Sequence, residues 1–181
     1  MRAFCLIAVL MSLMLIAAPA ARAQDPACPE PPGAPDTPEA EAVFEEATDC
    51  LLDAERAALG LRPLRRVPAL DRAAEGHARD MVARGYFAHV SPEGQDVADR
   101  VRATGYLRGW PEWRLGEALA WGTGELAAPR SIVDALLASP PHRKILLRPA
   151  YRHVGIGVVV GAPQISIPAG TYALVLGRRH R

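Results

Sequence analysis

The sequence predicts an α+β protein: an α-β-α sandwich with a small central antiparallel sheet flanked by helices. Two patterns predict it. Between Thr37 and Ala138 apolar residues recur at helical spacing, in segments closed by Gly60, Gly85, Gly105 and the Ser139-Pro140-Pro141 break. Beyond that point Val154–Val160 and Thr171–Leu176 are rich in β-branched and apolar residues, and Gly161-Ala162-Pro163 and Pro168-Ala169-Gly170 bracket the connection between them. Such nearly continuous apolar runs suit inner strands, which need helices on both faces.

The 181-residue chain opens with Arg2, an apolar run from Phe4 to Ala18, and Ala21-Arg22-Ala23. That order predicts a secretory signal peptide over residues 1–23, cleaved after Ala23. An uncleaved anchor is the competing reading, but the run falls short of the roughly 20 residues a span needs. No cysteine ends the run, so a lipoprotein anchor is not expected, and no second apolar stretch is long enough to span a membrane. The expected location is secreted or periplasmic. A Pro-rich acidic arm (24–37), one domain (38–178) and a basic tail (179–181) follow.

Net charge is only +1, which argues against a dedicated nucleic-acid binder. The charge is unevenly spread. Asp25–Arg56 holds ten acids and one base, whereas the rest is basic, with many arginines and the single Lys144. Solvated faces account for this skew; a weak attraction of the basic part for anionic envelope polymers or lipids is the sharper alternative. Cys5 lies in the leader. Cys28 and Cys50 remain, and an even pair in an exported chain reads as a disulfide, worth about 3 kcal/mol in the chain-entropy model. A Cys-His metal site is the alternative, but no histidine lies nearby in sequence.

The first helix starts at Thr37-Pro38-Glu39, with an N-cap, a proline at the first position and acids in the first turn, and runs to residue 59. Pro68-Ala69-Leu70-Asp71 opens the second, which Gly85 ends. His77 lies on its apolar stripe, where a core histidine bonded to a carbonyl is expected rather than a ligand. Tyr86-Phe87-Ala88-His89 then enters a Ser91-Pro92-Glu93-Gly94 turn, and the aromatics should anchor His89 at the rim of something. Asp96–Thr104 reads as a short helix with Val97 and Val101 inward. Tyr106–Arg114 reads as a Trp-rich loop, Leu115–Gly122 as a short apolar run around Glu117, and Pro129–Ala138 as another helix that breaks to deliver His142.

His89, Glu117 and His142 are the polar groups set in apolar or turn-rich surroundings, 28 and 25 residues apart. No local motif joins them. Two imidazoles and a carboxylate suit a divalent metal such as zinc, held by His89 and His142, and equally a hydrogen-bonded cluster lining a cleft. His153 and His180 read as solvated. Ser91 follows His89 too closely to pair as a nucleophile, and there is no Gly-x-Ser-x-Gly elbow, His-Glu-x-x-His helix or phosphate loop.

Four blocks resemble, in order, the bacterial branch of the CAP superfamily, whose members are cysteine-rich secretory proteins, antigen five and pathogenesis-related proteins. They are Leu52–Leu64, Ala78–Gly94, Gly116–Gly122, and Ser139–Leu146 followed by Gly155-Ile156-Gly157-Val158. The resemblance covers roughly residues 45–178. It implies an α-β-α sandwich and a cleft lined by two histidines and two acids. His89 and His142 fall on the histidine positions and Glu117 on the first acid. Ser139 stands where the second acid is usual, Ala118 where Asn is usual and Pro141 where Gly is usual.

Three roles follow. One is a non-enzymatic binding module for a lipid, envelope component or protein, with no required cofactor. The second is a metal-assisted hydrolase, a peptidase or envelope-modifying enzyme, with Glu117 as general base. The third is a scaffold braced by the cluster.

Overall fold

The computed structural model describes residues 28–180. The leader and its cleavage after Ala23 lie outside the described residues. The elements are α1 (Pro38–Ala58), β1 (Arg65–Arg66), α2 (Pro68–Arg84), α3 (Val97–Ala103), β2 (Glu112–Thr123), a 3-10 turn (Gly124–Ala127), α4 (Pro129–Ala138), α5 (Pro140–Leu146), β3 (His153–Ala162) and β4 (Ile165–His180).

The four strands are ordered β1-β3-β4-β2. β4 pairs antiparallel with β3 on one side and with β2 on the other, and β1 adds a two-residue parallel ladder beyond β3. The sheet is therefore antiparallel apart from that short edge. β4 is the central strand, and its continuous apolar run Tyr172–Leu176 is fully buried because both faces are covered. Alternate residues serve two cores. Val154, Ile156, Val158, Tyr172, Leu174 and Leu176 pack with α1, α4 and α5. Val159, Ala173, Val175 and Leu119 pack with α2 and α3.

Several expectations change. The run around Glu117 is the middle of a twelve-residue strand, β2, rather than an isolated segment. Its glycines had obscured it: Gly116 and Gly122 sit where a Cβ would strike Tyr151 Oη at 2.6 Å and the Leu126 carbonyl oxygen at 2.2 Å. The Ser139-Pro140-Pro141 break ends α4 but also starts α5, since proline is tolerated in a first turn. The tail expected at 179 is instead the end of β4, where Arg179 pairs in register with Trp113 and His180 with Glu112.

β3 is not flanked by a full strand on its outer side. Its exposed backbone N–H groups donate to carboxylates. Val160 N donates to Glu41 Oε1 (3.0 Å), Val158 N to Glu45 Oε1 (3.2 Å) and Ile156 N to Asp71 Oδ1 (3.0 Å). Further along α1, Asp53 Oδ1 accepts from Leu64 N (2.9 Å). The acids of α1 were expected on a solvated face, but Glu41, Glu45, Asp49 and Asp53 recur every fourth residue and lie along a sheet edge. An unpaired edge is a template for aggregation, and this one is closed by side chains.

The arm is tied down as well. Cys28 and Cys50 form the disulfide, with Cα atoms 5.6 Å apart. Glu30 pairs with Arg130 at 2.6 Å, and Pro35 is buried. At the opposite end, His153 is half-buried rather than solvated. Its Nδ1 lies 2.6 Å from Tyr106 Oη and its Nε2 2.9 Å from Arg65 Nη2. His180 is also paired, with Glu112 at 2.5 Å.

Candidate functional site

Glu117 projects from β2 toward the α2/α3 layer, on the same side as Leu119, and its side chain is only 3% exposed. A carboxylate removed from water needs partners for both oxygens. Oε2 meets His89 Nδ1 at 2.8 Å, and Oε1 accepts from Arg100 Nη2 at 2.7 Å. The same Arg100 nitrogen donates to the His89 carbonyl oxygen (3.0 Å), and Arg100 Nη1 donates to the Gln95 carbonyl oxygen (2.8 Å). One guanidinium thus fastens the carboxylate, the histidine backbone and the following turn together.

Local sequence sets each position. α2 stops at Gly85 in the left-handed conformation, releasing the loop that carries His89. His77, 1% exposed, donates from Nε2 to the Ala88 carbonyl oxygen at 2.9 Å and so pins that loop from below, the core role expected of it. Burial is the main reason its pKa lies below the usual histidine value, which keeps the ring neutral. Tyr86 anchors the loop by donating to Asp80 and tilting against His77, with ring centroids 6.1 Å apart. Phe87 does not anchor it; this ring and Val90 are about half exposed on either side of His89. The turn closes through Ser91, whose Oγ accepts from Gln95 N, so this serine serves the backbone. α3 begins with a capping box between Asp96 and Asp99 and projects Arg100 into the site.

His142 arrives from the other helical layer, in the first turn of α5. Both α3 and α5 contact β2, which brings His142 to the same edge of the sheet, near enough to feel the charge of His89. Burial lowers the His142 pKa first, and the nearby charge of His89 lowers it further. His142 has no hydrogen bond to Glu117 or His89 among those found in the structure. Ser139 caps the junction of α4 and α5 and supplies no carboxylate.

Arg100 is the residue that sequence reasoning missed. The signal was present: Arg100 stands three positions after Val97 and one before Val101, on the inward stripe of α3. A charged residue there calls for a buried partner.

His89 Nδ1 is occupied by Glu117, and the side chain is 58% exposed. The donor set open to a metal is thus two imidazoles. Among the described residues no group of three or more His, Cys, Asp and Glu side chains could hold an ion. Catalytic zinc takes three protein ligands, which these residues do not supply. A groove of about 390 Å3 between α2 and α3 is lined by Arg100, His77 and Ser91 and so adjoins the Glu117 site, whereas one of about 620 Å3 lies between α5 and the end of α1.

A model of the cysteine-rich secretory protein (CAP) family matches residues 51–175. The protein YkwD of Bacillus subtilis strain 168 is 31% identical over 122 residues, covering 67% of this chain and 45% of YkwD. The membrane protein YlbC of the same strain is 34% identical over 84 residues, covering 46% of this chain and 22% of YlbC. The chain thus spans less than half the length of either relative. The fold is similar to an extracellular protein containing an SCP domain from Bacillus anthracis, with TM-score 0.66, 24% identity and coverage of 80% of this chain and 44% of that one. It is also similar to an outer surface protein from Borrelia burgdorferi, with TM-score 0.63, 20% identity and coverage of 83% and 100%.

Proposed function

Because the chain belongs to the cysteine-rich secretory protein (CAP) family, we propose that it works as an exported binding module, with His89, Glu117 and His142 lining a site for a lipid or other envelope ligand. The observation that carries this reading is the state of Glu117. Both its oxygens are engaged, one by Arg100 and one by His89, inside the protein. A general base needs a lone pair within reach of a water or substrate proton, and Glu117 is only 3% exposed with a partner already on each oxygen. Exposed Phe87 and Val90 flank His89 and supply apolar contact surface next to a polar tip, the composition of a small-molecule site. Export rests on the leader expected from the sequence and is in line with the similar structures, an extracellular protein and an outer surface protein. No described helix is long and apolar enough to cross a membrane.

One feature favours a second reading. The Nδ1 of His89 rests on a carboxylate while the side chain is 58% exposed, and metal-ligating histidines are oriented by such a carboxylate. A divalent ion held by His89 and His142, with Glu117 behind His89, would be a two-ligand site. Zinc titration of the protein and of His89→Ala and His142→Ala separates the readings. The binding module predicts no uptake at micromolar zinc and recovery of an apolar compound by solvent extraction of protein from its own host. Stoichiometric uptake, lost in both variants, would instead establish the metal site. Repeated extractions that return nothing would count against the binding module.

A further inference from the structure

The largest groove described lies away from the Glu117 site, and no role proposed above uses it. It encloses about 620 Å3, within the range of about 300 to 1,000 Å3 typical of ligand sites. Its apolar part is Leu59, Pro140, Leu147 and Pro149; its polar part is Arg143, Lys144 and Arg148. No acid lines it.

The pattern originates in α5. Residues 140, 143, 144 and 147 follow the i, i+3, i+4, i+7 spacing of a single helical face. Leu146, on the opposite side, is buried, and its carbonyl oxygen accepts from Arg56 Nη1 at 2.6 Å, which fixes α5 against α1. The groove face is therefore held rigidly and turned outward. Leu59, at the end of α1, is 53% exposed beside it. Arg148 lies over the Tyr151 ring at 5.8 Å. Among the described residues, no carboxylate forms an ion pair with Arg143, Lys144 or Arg148.

We propose that this face docks on an anionic lipid surface, with Leu59 and Leu147 entering the headgroup boundary and Arg143, Lys144 and Arg148 meeting lipid phosphates. Charge complementarity selects the occupant. Three cations with no carboxylate partner among the described residues, set beside apolar residues, match a negatively charged surface with a hydrocarbon layer beneath it. A second copy of the chain would bring the same three cations against themselves across a two-fold axis. A nucleic acid would leave the apolar half of the groove without a role, and the groove holds no aromatic ring for base stacking. The inference does not depend on the ligand of His89 and Glu117, which lie outside this face.

Vesicle co-sedimentation tests it, using the chain from Gln24 onward, which carries every described element and both cores. The probes are vesicles of pure phosphatidylcholine and vesicles with one third phosphatidylglycerol. The expected result is at least roughly tenfold tighter binding to the anionic vesicles, weakening as salt rises. Each cation near such a surface is worth about a factor of five. Reversing two of them in Arg143→Glu/Lys144→Glu should therefore abolish the preference. Leu59→Ser, at a half-exposed position, should weaken the binding that survives at high salt while leaving the melting temperature unchanged. Equal binding to both vesicle types, or an unchanged preference in the double variant, would overturn the proposal. So would tight binding of duplex DNA that Leu59→Ser leaves intact, since that marks a general polyanion surface. Arg72→Glu/Arg108→Glu, an equal charge reversal at exposed positions outside this groove and outside the Glu117 site, should keep the preference for anionic vesicles, which ties the effect to this face and keeps the test apart from the zinc titration and solvent extraction of the Glu117 site.

Discussion

At the scale of single residues, the structure turns on buried charges whose partners come from distant elements. Arg100 is the clearest. Its removal would leave Glu117 charged, 3% exposed and held only by His89. Breaking one side of a buried pair costs about 3–5 kcal/mol. Arg100→Met should therefore lower thermal stability by that amount, and the double variant Arg100→Met/Glu117→Gln should recover part of it. Equal losses in the single and double variants would refute the pairing. Two other buried groups oppose each other with pH. Asp49 has one oxygen buried without a partner, and burial pushes its pKa up to about 6. Folding thus disfavours its ionised form, and its penalty is complete above pH 6 and relieved as pH falls toward the unfolded value near 4. His153 is held down to about 4, chiefly by burial and then by Arg65 and Arg179. Its contribution is complete above pH 6.5 and is lost as pH falls toward 4. Asp49→Asn should accordingly stabilise the protein at pH 8 by up to about 3 kcal/mol, with the gain fading near pH 4. Melting curves across that range decide it; a gain independent of pH would contradict the assignment.

At the scale of elements, the unusual feature is the way α1 and α2 close the edge of β3. Glu41, Glu45 and Asp71 accept from alternate N–H groups, in place of a neighbouring strand. Arg66 links two of them, at 3.2 Å to Glu45 and 2.8 Å to Asp71. Glu45→Leu keeps bulk but leaves Val158 N without an acceptor and Arg66 with one partner fewer. The expected loss is about 1–3 kcal/mol, with faster aggregation on partial unfolding because an edge is opened. Denaturant titration and light scattering read the two effects, and an unchanged midpoint would dismiss the edge-capping role. α2 reaches β3 closely because the strand has glycines beneath it. A Cβ at Gly155 would stand 2.0 Å from the Leu70 carbonyl carbon, and one at Gly157 would stand 2.3 Å from Glu75 N. The Gly-Ile-Gly-Val sequence is thus a packing surface for a helix backbone.

At the scale of the whole molecule, two helical layers cover a sheet whose central strand is buried on both faces, and the Cys28–Cys50 bridge ties the arm to α1 across 22 residues. The bridge closes a loop worth about 3 kcal/mol, or roughly 6–12 °C in a domain of this size. Cys28→Ser/Cys50→Ser should melt lower by that margin while the far-UV spectrum stays the same. A larger collapse would mean that the arm is a structural part of the domain rather than an attached segment. The layered design also explains the position of the two surface features. Glu117 lies where both layers reach β2, and α5 carries His142 toward that edge while its 140-143-144-147 face forms the cationic groove.

The sequence by itself determined the layers, the helix ends at Gly60, Gly85 and Gly105, the inner strands, the disulfide pair and the family, because all of these rest on local periodicity, turn chemistry or ordered motif blocks. It also singled out His89 and Glu117, which the structure brings within 2.8 Å of each other. Tertiary structure alone decided that β2 is a strand, that Arg100 is the third partner of Glu117, and that the acids of α1 face a sheet edge. It decided too that His153 is half-buried and bridges Tyr106 and Arg65. The reason is largely common. Most are charges whose partners lie outside any local window, 17 residues away for Arg100 and Glu117 and 119 for Glu41 and Val160, so their desolvation is compensated by groups that no local pattern can reveal.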